Sequence, residues 1–439
     1  MQTILITNAN LVNDGESRPA DVFIKNGRIE KIDSSLSDQP ADTVIDAAGN
    51  ALLPGMIDCH VHCREPGLEQ KATLHSETRA AVAGGVTSIM EMPNTKPAAI
   101  TNAVIEDKFA LAATRCVTNY SFHLGASNSN IDELLAMDPK TVCGVKLFMG
   151  ASTGGLLVDR TEQLENIFGK VKVPISLHCE DTNTIRENEK AAREKYGEEI
   201  PFSEHWKIRS EEACYRSTAL AVELATKYNS QIHVLHLTTA KELQLFKTGP
   251  VSGKKITGEA CPHMLWFSSD DYDEKGAFIK CNPSIKTPAD RAAIRQAVID
   301  GVIDTIGTDH APHLYEEKLN NYGSAPSGLP VIQSAMTTAA ELFPLEMVAE
   351  KTAHNPARIF QCLERGFIRE GYWADLTLID TGTPSTVTKD NIEYKCGWSP
   401  FEGVTYKSSI TATLVNGQIA YQNGQVNGAI RGQRLLFDR

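Results

Sequence analysis

Eight short apolar runs, each followed by a stretch of helical periodicity, constrain this chain more than any other feature. They read MIDCHVHC, GVTSIMEMPN, TNYSFHLGAS, VCGVKLFMG, VPISLHCED, QIHVLHLTTA, KITGEACPH and GVIDTIGTDH. The segments between them, such as LHSETRAAVAGG and SEEACYRSTALAVELATKY, place apolar residues at helical spacing. Eight strands alternating with helices predict an α/β fold, a (β/α)8 TIM barrel, which uses roughly 250 residues as one unit. The ends of the chain read differently. ILITNANLVN, DVFIKNGRIEKID and TVIDAAGNALLP at the start, and ADLTLIDTG, SITATLVNGQIAYQNG and RGQRLLF at the finish, alternate in period two around Asn-Gly and Asp-Gly turns. Both termini are expected to build one small β-sandwich together, residues 1–53 and 365–439, around a barrel at 54–364.

Polar, potentially reactive residues end the apolar runs: His60 and His62, Asn94, His123, Lys146, His178, His236, His263 and Asp309. In a barrel those ends converge on one face, where active sites are built. A single Asn or Asp there could be a turn former. His at five of the eight runs does not fit that reading, because His is neither a favoured turn residue nor common. In His60-Val61-His62 the two imidazoles lie at i and i+2, so one strand can aim both at one ion. With His178, His236 and Asp309 the donors become imidazole plus carboxylate, which suits a borderline divalent cation such as zinc. Cys59 and Cys63 flank the pair and should point to the opposite face as packing residues. His123 and His263 carry no independent mark of ligation.

Lys146 lies inside GVKLFMG, where a buried ammonium costs several kcal/mol unless paired or neutralised. Its pKa should fall, leaving a nucleophilic amine able to take up carbon dioxide as a carbamate that could bridge two ions. A structural Lys paired with a nearby acid is the alternative, and spacing alone leaves both open.

Charge and cysteine usage narrow the partners. The chain of 439 residues has a formal net charge of -12 and no Lys/Arg run, which argues against nucleic acid or an anionic membrane. Its opening lacks the basic and apolar regions of a signal peptide, and no run approaches the roughly 18 apolar residues of a spanning helix. Ten Cys without a CxxC pair fit reduced thiols in the cytoplasm better than a disulfide framework or zinc finger.

With these residues in view, the chain resembles the amidohydrolase superfamily, in the branch that holds dihydroorotases, allantoinases and hydantoinases. The carrying motifs are PGMIDCHVHCREPG, GVKLF, LHCED, HLTTA and GTDHAPH, in the order HxH, Lys, His, His, Asp. The resemblance implies two divalent ions per chain, usually zinc. One would be held by His60, His62, carboxylated Lys146 and Asp309, the other by Lys146, His178 and His236. Some relatives bridge with an Asp from the following loop, which makes Asp159 the fallback.

The resemblance also implies opening and closing of a cyclic amide by a metal-bridged hydroxide, with Asp309 as general base. Arg64, two residues past the HxH pair, and Asn94 match positions that hold a substrate carboxylate in dihydroorotases, and Arg suits that as a bidentate fork. A salt bridge from Arg64 to Glu65 is the plain alternative. Asn282 and His313 match further substrate-contacting positions. Where many dihydroorotases read NPPLR, this chain reads NPSIK, with Ser284 and Lys286 as departures. The expected substrate pair is dihydroorotate and N-carbamoyl-aspartate, of pyrimidine biosynthesis. An allantoinase or hydantoinase (dihydropyrimidinase) is the nearest rival, and a metal-free scaffold homologue or a metal-storage protein are the others. A homodimer is expected, and the Gly-rich Ser152 to Gly155 segment is a candidate lid.

Overall fold

A computed structural model describes residues 2–150 and 156–439; the expected lid, Ser152 to Gly155, lies outside the described residues. Each of the eight apolar runs contains a strand: β1 Met56–Val61, β2 Val86–Glu91, β3 Asn119–Gly125, β4 Gly144–Phe148, β5 Ile175–His178, β6 Ile232–Val234, β7 Ile256–Ala260 and β8 Thr305–Ile306. They pair in sequence order into one sheet, and every pairing is parallel. Burial on both faces explains the near-continuous apolar character of these runs. A parallel bridge between Val61 and His310, with Asp58 accepting from both the Thr308 amide (3.0 Å) and hydroxyl (2.5 Å), brings the last strand back to the first. The result is a nearly closed TIM barrel with alternating helices.

Local signals set the helix ends. Thr73 caps the helix Leu74–Ala83 in a reciprocal box with Ser76. Thr287 and Asp290 do the same for Pro288–Ile299, where Pro occupies the first turn without losing a bond. The helix Glu211–Tyr228 stops at Asn229 in the left-handed conformation.

The terminal strands form one further sheet. Its two halves meet where Ala51–Pro54 pairs antiparallel with Leu376–Asp380. The predicted Asn-Gly turns place both residues at positive φ, 52° and 81° at Asn26-Gly27 and 50° and 68° at Asn416-Gly417. These turns, one from each end of the chain, touch: a Cβ on Gly417 would sit 2.6 Å from the Gly27 Cα. Asp375, buried between Arg365 and the Asn119 amide, ties this sheet to the barrel.

Two sequence expectations need correction. RGQRLLF does not join the terminal sheet; Arg434 bridges to Tyr120 of β3 instead. Leu435 and Phe437 then pack with Ile57, Cys59, Met90, Cys143 and Phe360 beneath the barrel. The N-terminal end of the barrel must be covered by something apolar, and burying these two side chains contributes about 2–3 kcal/mol each. Cys59, in turn, does not face away from the HxH pair. The pairing of β1 with β2 is irregular between Asp58 and Val61, which breaks the period of two. The Cys59 thiol therefore reaches Glu259, the same carboxylate that holds His60. Its role as a packing residue is unchanged, since burial and that carboxylate raise the thiol pKa far above its ordinary value.

Candidate metal centre

Four imidazoles line up across the C-terminal rim. Ring centroids are 5.6 Å apart for His62 and His60, 5.2 Å for His60 and His236, and 4.7 Å for His236 and His178. Asp309 closes one end: its Oδ1 is 3.1 Å from the Nε2 of both His60 and His62. At the other end His178 Nδ1 and His236 Nε2 are 3.0 Å apart, two ring nitrogens converging on one point. Lys146 is 1% exposed, and its Nζ lies 4.7 Å from the centroid of Phe148, whose ring is 5.7 Å from that of His178. Among the described residues it makes no hydrogen bond or ion pair. Burial lowers its pKa to about 8, against the pull of Asp309 and Glu259. A neutral amine is thus accessible there.

The far nitrogens of three imidazoles are each held. His60 Nδ1 is 2.8 Å from Glu259, His62 Nδ1 is 2.7 Å from Asn94 Oδ1, and His178 Nε2 is 2.9 Å from Glu180. Fixing the outer nitrogen turns the inner lone pair toward the shared centre, as second contacts of metal-binding histidines do. Burial would raise the Glu259 carboxyl, but His60 and His233 hold it well below the usual range. Burial would likewise raise the Glu180 carboxyl, but Arg209 and His178 bring it down to about 2. Desolvation keeps His178 and His236 neutral. Gly307 makes room for this arrangement, because a Cβ there would sit 2.1 Å from Glu259 Oε2.

The ligand atoms of His60, His62 and Asp309 lie within 4.8 Å of one another, all buried, and imidazole with carboxylate is the donor chemistry of zinc and its neighbours. The residues present fit a divalent cation. Two other clusters, Cys59–His233–Glu259 and His60–Glu259–Cys261, reuse the carboxylate already bound to His60 and include thiols whose pKa is far above normal. They suit packing better than ligation. Asp159 is exposed and accepts from Asn128, away from the cluster.

Arg64 has no carboxylate partner among the described residues. Its Nε donates to the Pro312 carbonyl at 3.0 Å, and its Nη2 lies 3.0 Å from His313 Nε2. Glu65, the expected alternative, pairs with Arg115. His313 Nδ1 accepts from Lys71 at 3.0 Å, and its Nε2 faces the Ser327 carbonyl at 3.0 Å; burial, Arg64 and Lys71 keep it neutral. Asn94 spends its oxygen on His62, leaving its NH2 free of partners among the described residues. Asn282 lines a cavity of about 190 Å³ with Arg209, Lys280 and Ser327, and its Oδ1 has no partner among the described residues. Arg64, His236 and Asp309 have φ of 67°, 42° and 48°, a strained conformation that concentrates at working sites.

Glu259, Glu180, Arg209 and Lys71 were not singled out from the sequence. A signal existed for the first two: an acid inside an apolar strand run, KITGEACPH, or at i+2 from a strand-end His, LHCED. Arg209 and Lys71 lie in loops and had none.

A TIM barrel with imidazoles, a carboxylate and a neutral-prone lysine gathered at its C-terminal rim is the architecture of a metal-dependent hydrolase. The model of the amidohydrolase family matches residues 51–420, and the chain belongs to that family. It is an enzyme of the hydrolase class. Curated relatives named dihydroorotase are similar over nearly the whole length. That of Methanosarcina acetivorans is 30% identical, covering 97% of this chain and 94% of its own. That of Halobacterium salinarum is 32% identical over 88% of this chain and 90% of its own. Among solved structures, an L-hydantoinase (dihydropyrimidinase) from Arthrobacter aurescens superposes with a TM-score of 0.93 at 24% identity, covering 99% of this chain and 100% of that one. This likeness defines the fold. Among the described residues, no helix is long and apolar enough to cross a membrane.

Proposed function

We propose that the chain is a dihydroorotase, hydrolysing dihydroorotate to N-carbamoyl-aspartate and closing it again. The observation that carries this reading is Arg64, a buried guanidinium beside the metal cluster with no acid of its own. A ring carboxylate would complete it; an uncharged ring would leave a buried cation unpaired, at a cost of several kcal/mol. Relatives named dihydroorotase support the same choice.

His60, His62, carboxylated Lys146 and Asp309 would hold one ion, and Lys146, His178 and His236 the other, with zinc the expected metal. When bound, the ions supply Lewis acidity and hydroxide at neutral pH. The chain supplies the rest. Arg64 and the Asn94 NH2 take the ring carboxylate, with His313 and Asn282 as further substrate contacts, which fixes the amide over the cluster. Asp309 takes the proton of the attacking water and returns it to the leaving ring nitrogen. Run backwards, the same groups close N-carbamoyl-aspartate.

The reading extends to a cytoplasmic enzyme, consistent with ten cysteines and no disulfide, acting as a homodimer on a small-molecule substrate. It divides the chain at 1–53, 54–364 and 365–439. A second reading, a hydantoinase or dihydropyrimidinase, is favoured by the likeness in fold to the Arthrobacter aurescens enzyme. The deciding experiment is hydrolysis of dihydroorotate beside dihydrouracil, hydantoin and allantoin, on protein of measured metal content. Turnover of dihydroorotate alone with about two ions per chain is expected. Turnover of the uncharged rings instead would overturn the substrate while keeping the class.

A further inference from the structure

Glu180 Oε2 receives two partners, His178 Nε2 at 2.9 Å and the Arg209 guanidinium. Glu180 is fully buried, and among the described residues Arg209 is the one Lys or Arg in contact with it. Arg209 comes from a loop after the short helix His205–Ile208, a place with little lattice of its own. What fixes it is a clamp from the β7 loop. Ser284 Oγ donates to the Arg209 carbonyl at 3.0 Å, and Lys286 Nζ donates to Ser284 Oγ at 2.9 Å and to the Ser284 carbonyl at 3.0 Å. That carbonyl also accepts from Thr238, two residues past His236, at 3.1 Å. Ser284 and Lys286 are buried at 0% and 3% exposure, and they are two of the three positions where the NPSIK segment departs from NPPLR. These two departures are therefore not independent: they bond to each other and carry the backbone of the residue that holds Glu180.

A carboxylate bound to Arg209 can only accept from His178, so the ring proton is placed on Nε2 and the lone pair on Nδ1, the atom that faces His236. We propose that Arg209 is a positioning residue for His178, acting through Glu180, and that Ser284 and Lys286 are the clamp that keeps it in place. This rests on the reading of His178 as a metal ligand. Loss of Arg209 would free Glu180 and His178 to turn, loosening the ion on the His178 and His236 side while leaving the His60 and His62 side as it was.

The test is metal content and metal release into a chelator, on zinc-loaded full-length protein, for Arg209→Met, Arg209→Lys, Ser284→Ala and His178→Ala. The wild type should hold two ions and His178→Ala about one. Arg209→Met should load two but release one of them about 10–100-fold faster, the usual cost of removing such an outer contact. Arg209→Lys should fall between, and Ser284→Ala should shift the same release step by a smaller factor, which keeps the inference testable should Arg209→Met fail to fold. KM for dihydroorotate should stay within about twofold. Wild-type release from Arg209→Met, with His178→Ala short of one ion, overturns the positioning role and leaves the ligand reading intact. A raised KM with unchanged release would assign Arg209 to the substrate instead. Two tightly held ions in His178→Ala would overturn the ligand reading and this inference with it.

Discussion

The two halves of the metal centre are held by different means. In the first, His60 and His62 stand on or beside β1, and their outer nitrogens meet Glu259 on β7 and Asn94 after β2. His60 and Glu259 are on strands, His62 is the residue just past one, and Asn94 lies three residues past β2. In the second, His178 ends β5, His236 lies past the end of β6 with a φ of 42°, and the outer contact runs through Glu180 to a loop arginine 29 residues further on. The first half is preorganised by the fold itself, the second by buried charges borrowed from loops. The expectation is one ion held tightly and one that exchanges. Glu259 is the link between the halves, since its Oε1 accepts from His60 Nδ1 at 2.8 Å and faces the His236 amide at 3.3 Å.

The hardest way to break this comparison is at Asp309, which touches only the first half. Asp309→Asn keeps an oxygen donor but removes the base, and kcat should fall about 10³-fold, within the range of general-base losses. Metal analysis should still find both ions. Near-normal kcat would remove Asp309 from the proton transfer; loss of one ion would show that its charge binds more than it catalyses.

Glu259→Gln comes next. It removes the charge that orients His60 and weakens the contact to His236, so both ions should leave about 10–100-fold faster. In Arg209→Met only one should. If the two variants give the same release pattern, the division into a strand-held and a loop-held half is wrong. The melting temperature should fall in both variants, since Glu259 is buried among barrel strands and Arg209→Met leaves the buried Glu180 carboxylate without its cation, so the release pattern is what separates them.

This contrast also marks how much could be read from the sequence. All eight barrel strands announced themselves as apolar runs, because burial on both faces leaves a local signature. The strand-end residues His60, His62, His178, His236 and Asp309 followed, because a barrel sends strand ends to one rim. The bend at Cys59 did not, since it depends on a pairing irregularity with β2 that no single strand reveals. RGQRLLF has the alternation of a strand, but its place is decided by the uncovered barrel floor, a property of the assembled fold. Arg209 was invisible for the same kind of reason: its partner Glu180 is set by a loop path, which carries no periodicity.

Arg64→Met tests the substrate end, which lies outside both halves. KM for dihydroorotate should rise about 10–100-fold, equivalent to roughly 1.4–3 kcal/mol for a lost charge-assisted pair. Metal content and melting temperature should not move, and hydrolysis of an uncharged ring, however slow, should be unaffected or improve. Equal losses on charged and uncharged rings would mean that Arg64 supports the loops around Pro312 and His313 and does not read a carboxylate.

His263 offers the smallest effect and the sharpest control on what makes a histidine a ligand here. It follows β7 as the others follow their strands, yet both ring nitrogens are buried without a partner among the described residues. Unlike His236, whose Nε2 meets His178, it has no contact at either ring nitrogen to orient it, so it should belong to neither half. Burial, with nearby His60 and against Asp309, lowers its pKa from 6.5 to about 4. The folded protein therefore binds fewer protons than the unfolded chain between those values, and stability falls as pH drops from 6.5 toward 4. At pH 5.5 the penalty is about 1.4 kcal/mol, and at pH 7.5 it vanishes. His263→Leu should flatten that acid limb in denaturant melts at pH 5.5 relative to pH 7.5, match or slightly exceed the wild type at neutral pH by removing two unsatisfied nitrogens, and keep both ions and kcat. A lost ion in this variant would show that a ring with no contact at either nitrogen can still serve as a ligand at this rim, and would add His263 to one of the two halves.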